Sequence, residues 1–348
     1  MRTALVGASL ACLLVACGSH QDDTSVLLGE DPDALGGEPP EFEPYVAGRP
    51  ITAFAPYAGV PRLLTEAYAP AELSLGAKVQ AYRSFKQGDQ LLLLVLDLES
   101  LRTNVVSAAW LEAHSIETTG EGTRRAHVDG RTRARGLPVN SVTAAGQAGL
   151  TRAALTVDMC QSSKPWERAF FQWVVAEGRR RGEPLELNVA MTGIWAKSHP
   201  AEFAQLTTWR KQGDIRITWV NHSFRHPLHC SGRSCAFLTH PSENINSAVL
   251  LEEQDLLSRG EIPSLFFRFP GLTHDERTLS GVSALGLYTL DGDAWLAKGQ
   301  SIHDGAVILV HGNGNEPEGI RRFFSAVNGA WASPLADKRL HFVSMNDL

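Results

Sequence analysis

From residue 151 onward the chain alternates short apolar runs with segments of helical period. That pattern narrows the fold more than any other feature. The apolar runs are 153–157, 185–191, 215–220, 265–269, 288–290, 306–310 and 341–344, and each has strand length. Between them 165–181, 201–212, 245–259, 276–285 and 318–327 read as helices. Pro165 stands early in the first helix, which ends on Arg179, Arg180 and Arg181, as the helix dipole prefers. Ser242 or Asn244 can cap the third. Strands alternating with helices imply a parallel α/β sheet or barrel, and such barrels carry their chemistry just beyond the strand C-terminal ends.

Five of those ends hold reactive side chains. Asp158 follows the first strand; Asn221-His222-Ser223-Phe224-Arg225-His226 follows the third; Arg268-Phe269-Pro270-Gly271 lies at the end of the fourth. Asp291-Gly292-Asp293-Ala294-Trp295 follows the fifth, and His311 follows the sixth. A lone Asp or His at a strand end is more often a structural hydrogen-bonder, but five in register are hard to reach by chance. The residue types suit metal-assisted hydrolysis. His222 and His226 are four apart, so one helical turn places both on one face. Imidazoles bind zinc and similar divalent ions, which acidify water and polarise carbonyls. Asp158 can take a proton from water, His311 can protonate a leaving amine, and Arg268 can keep a carboxylate ionised.

The ordered set resembles the polysaccharide deacetylases of carbohydrate esterase family 4, the NodB-homology group, over about residues 150–348. Thr156-Val157-Asp158 looks like the first motif of that family, whose first Asp is the general base. His222-Ser223-Phe224-Arg225-His226 matches its H-[ST]-x-x-H metal motif, and Arg268-Phe269-Pro270-Gly271 its third, with Arg orienting the base. The resemblance further implies an oxyanion donor in the backbone just after Pro270, at Gly271. It implies Asp291 as the residue tuning the catalytic His, and Trp295 and Leu309 as walls of the acetyl pocket. Leu309-Val310-His311 fits the L-x-H motif, with His311 as acid, and His341-Phe342-Val343-Ser344 looks like the closing strand. The fold so implied is a distorted (β/α) barrel of the polysaccharide deacetylase type, with a small β-rich region before it. The implied reaction removes N-acetyl groups from an amino-sugar polymer, of peptidoglycan or poly-N-acetylglucosamine type, with a divalent metal, zinc first.

One position departs from the family. A second Asp, the third metal ligand, usually follows the first; here Met159 stands there, and a thioether is a poor ligand for such ions. Three readings stay open. Two His with water or substrate hold a weaker site; Glu167 or Cys160 substitutes; or metal and activity are lost, leaving a glycan-binding lipoprotein on the same fold. An amidohydrolase of small imides or amides is a further reading of the scaffold. Ser223 lacks the G-x-S-x-G elbow of a serine hydrolase. Gly312-Asn313-Gly314-Asn315 lacks the Lys of a phosphate-binding loop and reads as a plain loop.

Met1-Arg2-Thr3 followed by an apolar stretch to Ala16 reads as an export signal, too short for a permanent membrane helix. Leu14-Val15-Ala16-Cys17 resembles a lipobox, which makes Cys17 the lipidated first residue of the mature chain and places it at the bacterial envelope. Gly18 after it favours the outer membrane where the host has one. Residues 17–50 read as a disordered tether, rich in Gly, Pro and acids. They contain eight of the 38 acids, and only two of the 32 Lys and Arg residues, Arg2 and Arg49, precede residue 51. The net charge of -6 therefore belongs to the tether, and the body is balanced, which argues against a nucleic-acid binder. With Cys12 and Cys17 so placed, Cys160, Cys230 and Cys235 remain. Export makes a Cys230–Cys235 disulfide the first reading, and a zinc knuckle with His222, His226 and His229 the second.

Residues 51–150 read as a β-rich accessory region: strands near 78–85, 91–96 and 105–109, with Gly88-Asp89 as a hairpin turn. The Arg-rich stretch 123–135 reads as a solvated loop or hairpin, or as a contact for an anionic wall polymer.

Overall fold

The computed structural model describes residues 44–131, Val139, 151–232 and 234–347. The export signal, the Cys17 lipid site and nearly all of the acidic tether lie outside the described residues. No helix among the described residues is long and apolar enough to cross a membrane.

Residues 52–117 build an antiparallel sheet of β1 (Thr52–Pro56), β2 (Arg62–Leu64), β3 (Lys78–Gln87), β4 (Gln90–Asp97), β5 (Thr103–Ser107) and β6 (Ser115–Glu117). Its order is β5-β4-β3-β2-β6, with β1 also on β3. The β3–β4 hairpin turns on Gly88-Asp89 as expected; Gly88 has φ +61°, the positive value that primed hairpin turns require. Helix α1 (Ala108–Ala113) is capped by Ser107, whose hydroxyl accepts from Trp110 N–H.

Of the Arg-rich stretch 123–135, Arg124–Arg131 is helix α2 and not the expected loop, and 132–135 lie outside the described residues. Thr123 Oγ1 accepts from the Ala126 amide, Arg125 pairs with Asp129 one turn on, and Val128 is buried. Arg125 is itself buried and donates to Gly286 O, so it serves the interior and not an external polymer.

The rest carries an eight-stranded sheet that is parallel throughout. Its strands are β7 (Thr151–Met159), β8 (Leu185–Met191), β9 (Ile215–Asn221), β12 (Pro263–Phe267), β13 (Tyr288–Thr289), β14 (Ala294–Trp295), β15 (Ala306–His311) and β16 (Leu340–Phe342). The short β10 (Cys230–Ser231) and β11 (Ser234–Cys235) form a separate hairpin. The order β13-β12-β9-β8-β7-β15-β14, with β16 beside the start of β7, leaves the curled sheet open. This is the distorted (β/α) barrel that the sequence leads one to expect. The helices are α3 (Arg168–Arg181), α4 (Gly193–Ser198), α5 (Pro200–Lys211), α6 (Ile245–Ser258), α7 (Glu276–Ala284), α8 (Pro317–Val327) and α9 (Ala332–Ala336). The first expected helix starts three residues late, at Arg168, and α6 is capped by Asn244, whose side chain accepts from Ser247 N–H.

Because both faces of the sheet are covered, the central strands are apolar without alternation; Ala153 to Met159 is buried at every position but carries only three polar or sulfur side chains, Thr156, Asp158 and Met159. One core joins β7, β8 and β15 to α3, α5 and α8. A second joins β12 and α7 to Leu96 of β4 and to Leu98 and Leu101 of the β4–β5 turn. The two sheets are also tied by Arg83, which is 1% exposed and grips the buried Glu253 of α6 through two hydrogen bonds of 2.6 and 2.9 Å.

Candidate active site

Parallel register fixes the site. In the β7–β15 pair Asp158 lies directly opposite His311. In β8–β9–β12, Met191 lies opposite Asn221 and Asn221 opposite Phe267, so His222 and Arg268 leave neighbouring strands at one level. These ends surround a cleft of about 480 Å³ lined by Asp158, Cys160, His222, His226, Gly271, Trp295, Leu309 and His311, together with Gln161, Phe237 and Glu316. A larger hollow of about 620 Å³ at the opposite strand ends is lined by Glu186, Arg210, Arg216 and Glu261, among other residues, and there Arg210 pairs with Glu261 and Arg216 with Glu186.

Asp158 is 4% exposed. Its Oδ1 accepts from Arg268 Nη1 at 2.7 Å, and the same nitrogen donates to Thr156 Oγ1 at 2.6 Å. Arg268 Nη2 donates to the main-chain oxygen of Asp291 at 3.0 Å. Burial alone would raise the Asp158 carboxyl, but Arg268 and the imidazoles of His222 and His311 outweigh it and hold the group below the usual range. Asp158 Oδ2 stays free of Arg268 and lies 3.8 Å from His222 Nε2.

His222 is buried, and its Nδ1 faces the main-chain oxygen of Arg268 at 2.8 Å. A carbonyl can only accept, so Nδ1 carries the proton and Nε2 is turned to the cleft. Residues 222–226 are not the expected helical turn. Asn221 Oδ1 takes the Ser223 amide, Ser223 sits at φ +65°, and Phe224 N–H donates to Ala248 O on α6. The bend still brings His226 beside His222, with ring centroids 5.4 Å apart. Gln161 clamps His226 from both sides, accepting from its amide and donating to its carbonyl. Ligand atoms of Cys160, His222 and His226 all lie within 4.8 Å of one another, a donor set that fits a divalent cation. Glu167 is not in this cluster: it precedes the late-starting α3, with its amide on Gly312 O. Met159 points the other way, into the core.

Asp291 does not touch His311. Its carboxylate takes the Gly292 amide instead. The acid beside His311 is Glu316, whose Oε2 lies 2.8 Å from His311 Nδ1 and accepts from Trp295 Nε1 at 2.8 Å. Burial would lower His311, but Cys160, Glu316 and Asp158 outweigh it and the imidazole is pushed up to about 10. Sequence reasoning missed Glu316; the available signal was an acid just before Pro317 at the start of α8, one short loop past His311.

Gly271 has φ +63°, and a Cβ there would fall 2.4 Å from the Phe237 ring, so a side chain would push into the cleft wall. Cys230 and Cys235 are joined in a disulfide across β10–β11, and His229 stacks on His240 and pairs with Glu243. The zinc-knuckle reading therefore fails, since its sulfurs are already bonded.

No protein-family model matches the chain. Solved structures with a related path include a family 4 carbohydrate esterase from Bacillus anthracis, at 17% identity and TM-score 0.44, covering 64% of this chain and 91% of that one. Bacillus subtilis PdaA, a family 4 carbohydrate esterase, matches at 17% identity and TM-score 0.44, covering 62% and 86%. A mutant of BA3943, a CE4 family pseudoenzyme with restored enzymatic activity, matches at 15% identity and TM-score 0.42, covering 61% and 71%.

Proposed function

We propose that the chain is a metal-dependent carbohydrate deacetylase of the family 4 carbohydrate esterase type, removing N-acetyl groups from an amino-sugar polymer of the cell envelope. One observation carries the reading: Asp158 and His311 stand opposite each other on adjacent strands, with the His222–His226 pair beside them.

A divalent cation held by His222 and His226 would polarise an acyl carbonyl and acidify water. The chain's own groups divide the remaining work. Asp158 Oδ1 is committed to Arg268, so Oδ2 receives the proton of the attacking water. Arg268 holds that carboxylate ionised and aimed. Glu316 faces His311 Nδ1 as an ion-pair neighbour at 2.8 Å, and Nε2 passes a proton to the departing amine as the C–N bond breaks. The products are acetate and a free amino sugar. Gly271 keeps the cleft wall open and presents the amide that the sequence motif assigns to the oxyanion. Leu309 and Trp295 supply the apolar walls that an acetyl methyl needs.

Export and lipid attachment through Cys17 belong to the same proposal, supported by the lipobox-like residues 14–17. Placement of Met159 and Glu167 outside the cluster favours one second reading, a glycan binder without turnover. Acetate release from N-acetylglucosamine oligomers separates the two. Turnover by the zinc-loaded wild type, lost in Asp158→Asn, supports the enzyme. Glycan binding by zinc-loaded wild type without acetate release supports the binder and ends the deacetylase reading.

A further inference from the structure

Two imidazoles leave a cation one protein donor short of the three that open zinc sites use. The residue that supplies the third follows from strand geometry. Side chains alternate along a strand, so Asp158 and Cys160 share a face and Met159 takes the other. Met159 accordingly packs beside Phe171 and Val157 in the core, whereas Cys160 lines the cleft. Cys160 Sγ lies 3.4 Å from His222 Nε2. With bonds of about 2.0–2.3 Å, neighbouring donors around tetrahedral zinc stand roughly 3.5 Å apart, so this pair is already at the spacing of two ligands. Among the described residues Cys160 is the free cysteine, Cys230 and Cys235 being bonded to each other.

The loop after His311 explains how Cys160 is held. Asn313 is fully buried and donates from Nδ2 to Cys160 O at 2.8 Å. Asn315 Nδ2 donates to Gln161 O, and Gln161 is the clamp on His226. The Gly312-Asn313-Gly314-Asn315 segment thus fixes the backbone on either side of the Cys160–Gln161 peptide, and through it two of the three donors.

We propose that Cys160 is the third protein ligand of the cation, giving a thiolate–diimidazole site that takes zinc or cobalt and not magnesium or calcium. The site rests on the proposed function for the presence of a cation, but its chemistry is set by Cys160. One thiolate gives the same formal charge as the carboxylate it replaces, and sulfur favours borderline and soft ions where oxygen favours hard ones. Three protein donors also leave a coordination position for water or substrate, the pattern of catalytic zinc.

The test loads the metal-free full-length protein with cobalt and reads its absorption spectrum. Wild type is expected to show a thiolate-to-cobalt charge-transfer band, and Cys160→Ser to lose it while binding zinc more weakly by at least the roughly 10–100-fold that loss of a mere outer-shell partner costs. Cys160→Asp is expected to regain zinc without the band and to accept magnesium. A wild-type spectrum without the band, or unchanged zinc affinity in Cys160→Ser, overturns the assignment. If Cys160→Ser does not fold, alkylation of the wild-type thiol gives the answer: zinc slows it if Cys160 is a ligand, and an unchanged rate overturns the proposal. Neither readout needs turnover. A band without acetate release would refute the deacetylase and keep the ligand; acetate release without a band would do the reverse.

Discussion

On one wall of the cleft Asp158 is 4% exposed and bound to an Arg268 that is fully buried. On the other, the side chain of His311 is 15% exposed and that of its partner Glu316 is 30% exposed. On the proposed mechanism the dry wall holds a charge that must stay ionised, and the wet wall a proton that must leave and return. Burial by itself does not give the first property. Glu252 of α6 is equally buried, and neither of its oxygens has a hydrogen-bond partner of ordinary geometry among the described residues. Burial pushes its carboxyl well above the usual range, the neighbouring Asp255 adds to this, and Arg259 offsets it only in part. Asp158 moves down where Glu252 moves up: Asp158 has a guanidinium hydrogen-bonded at 2.7 Å and two imidazoles beside it, whereas Arg259 acts on Glu252 without a hydrogen bond.

That contrast is broken most sharply at Asp158. Asp158→Asn should cut acetate release about 10²–10⁴-fold, the usual worth of a positioned general base, while the melting curve remains cooperative. Retained turnover in a folded variant would remove Asp158 from the chemistry. Arg268→Ala leaves a buried carboxylate alone and should cost about 3–5 kcal/mol in urea unfolding. Glu316→Ala touches a half-exposed pair and should cost about 1 kcal/mol or less. Equal losses at the two sites would erase the distinction between the walls. Glu316→Gln should lower kcat roughly tenfold, since His311 keeps its place but loses the charge that favours its protonated form.

The last of these effects is read as a pH dependence, at Glu252. Its carboxyl is raised in the fold, so the folded state binds more protons than the unfolded one. Stability is then fullest below the ordinary value of 4.5 and declines as pH rises toward the folded value. Glu252→Gln should remove that decline, gaining on wild type in urea midpoints as pH is raised above 4.5. A constant difference across that range would mean that Glu252 is not held neutral.

The strand–helix alternation was legible because buried parallel strands and amphipathic helices write strong periods, and the helices α5, α6 and α7 fall within a residue of their expected bounds. The strand-end rule found Asp158, His222, Arg268 and His311, because register places consecutive strand ends at one level. Three features were not legible. Asp291 has the motif position, yet a carboxylate reaches His311 from Glu316, across a loop whose path no local pattern encodes. The role of Met159 was read from its place in a motif, whereas the two-residue strand period turns it inward and Cys160 toward the cleft. The helix over Arg124–Arg131 was hidden because four of its residues are Arg or Asp, and its stability comes from Thr123, the Arg125–Asp129 pair and burial of Val128.

The central claim is that Asp158 takes a proton and His311 gives one. It is tested most directly by the pH dependence of kcat/KM for acetate release in wild type and Glu316→Gln. Glu316 helps push His311 up, so its loss should move the alkaline limb to lower pH and leave the acid limb, set by the Arg268-bound Asp158, in place. An alkaline limb that does not move, or an acid limb that moves in its stead, would contradict the account.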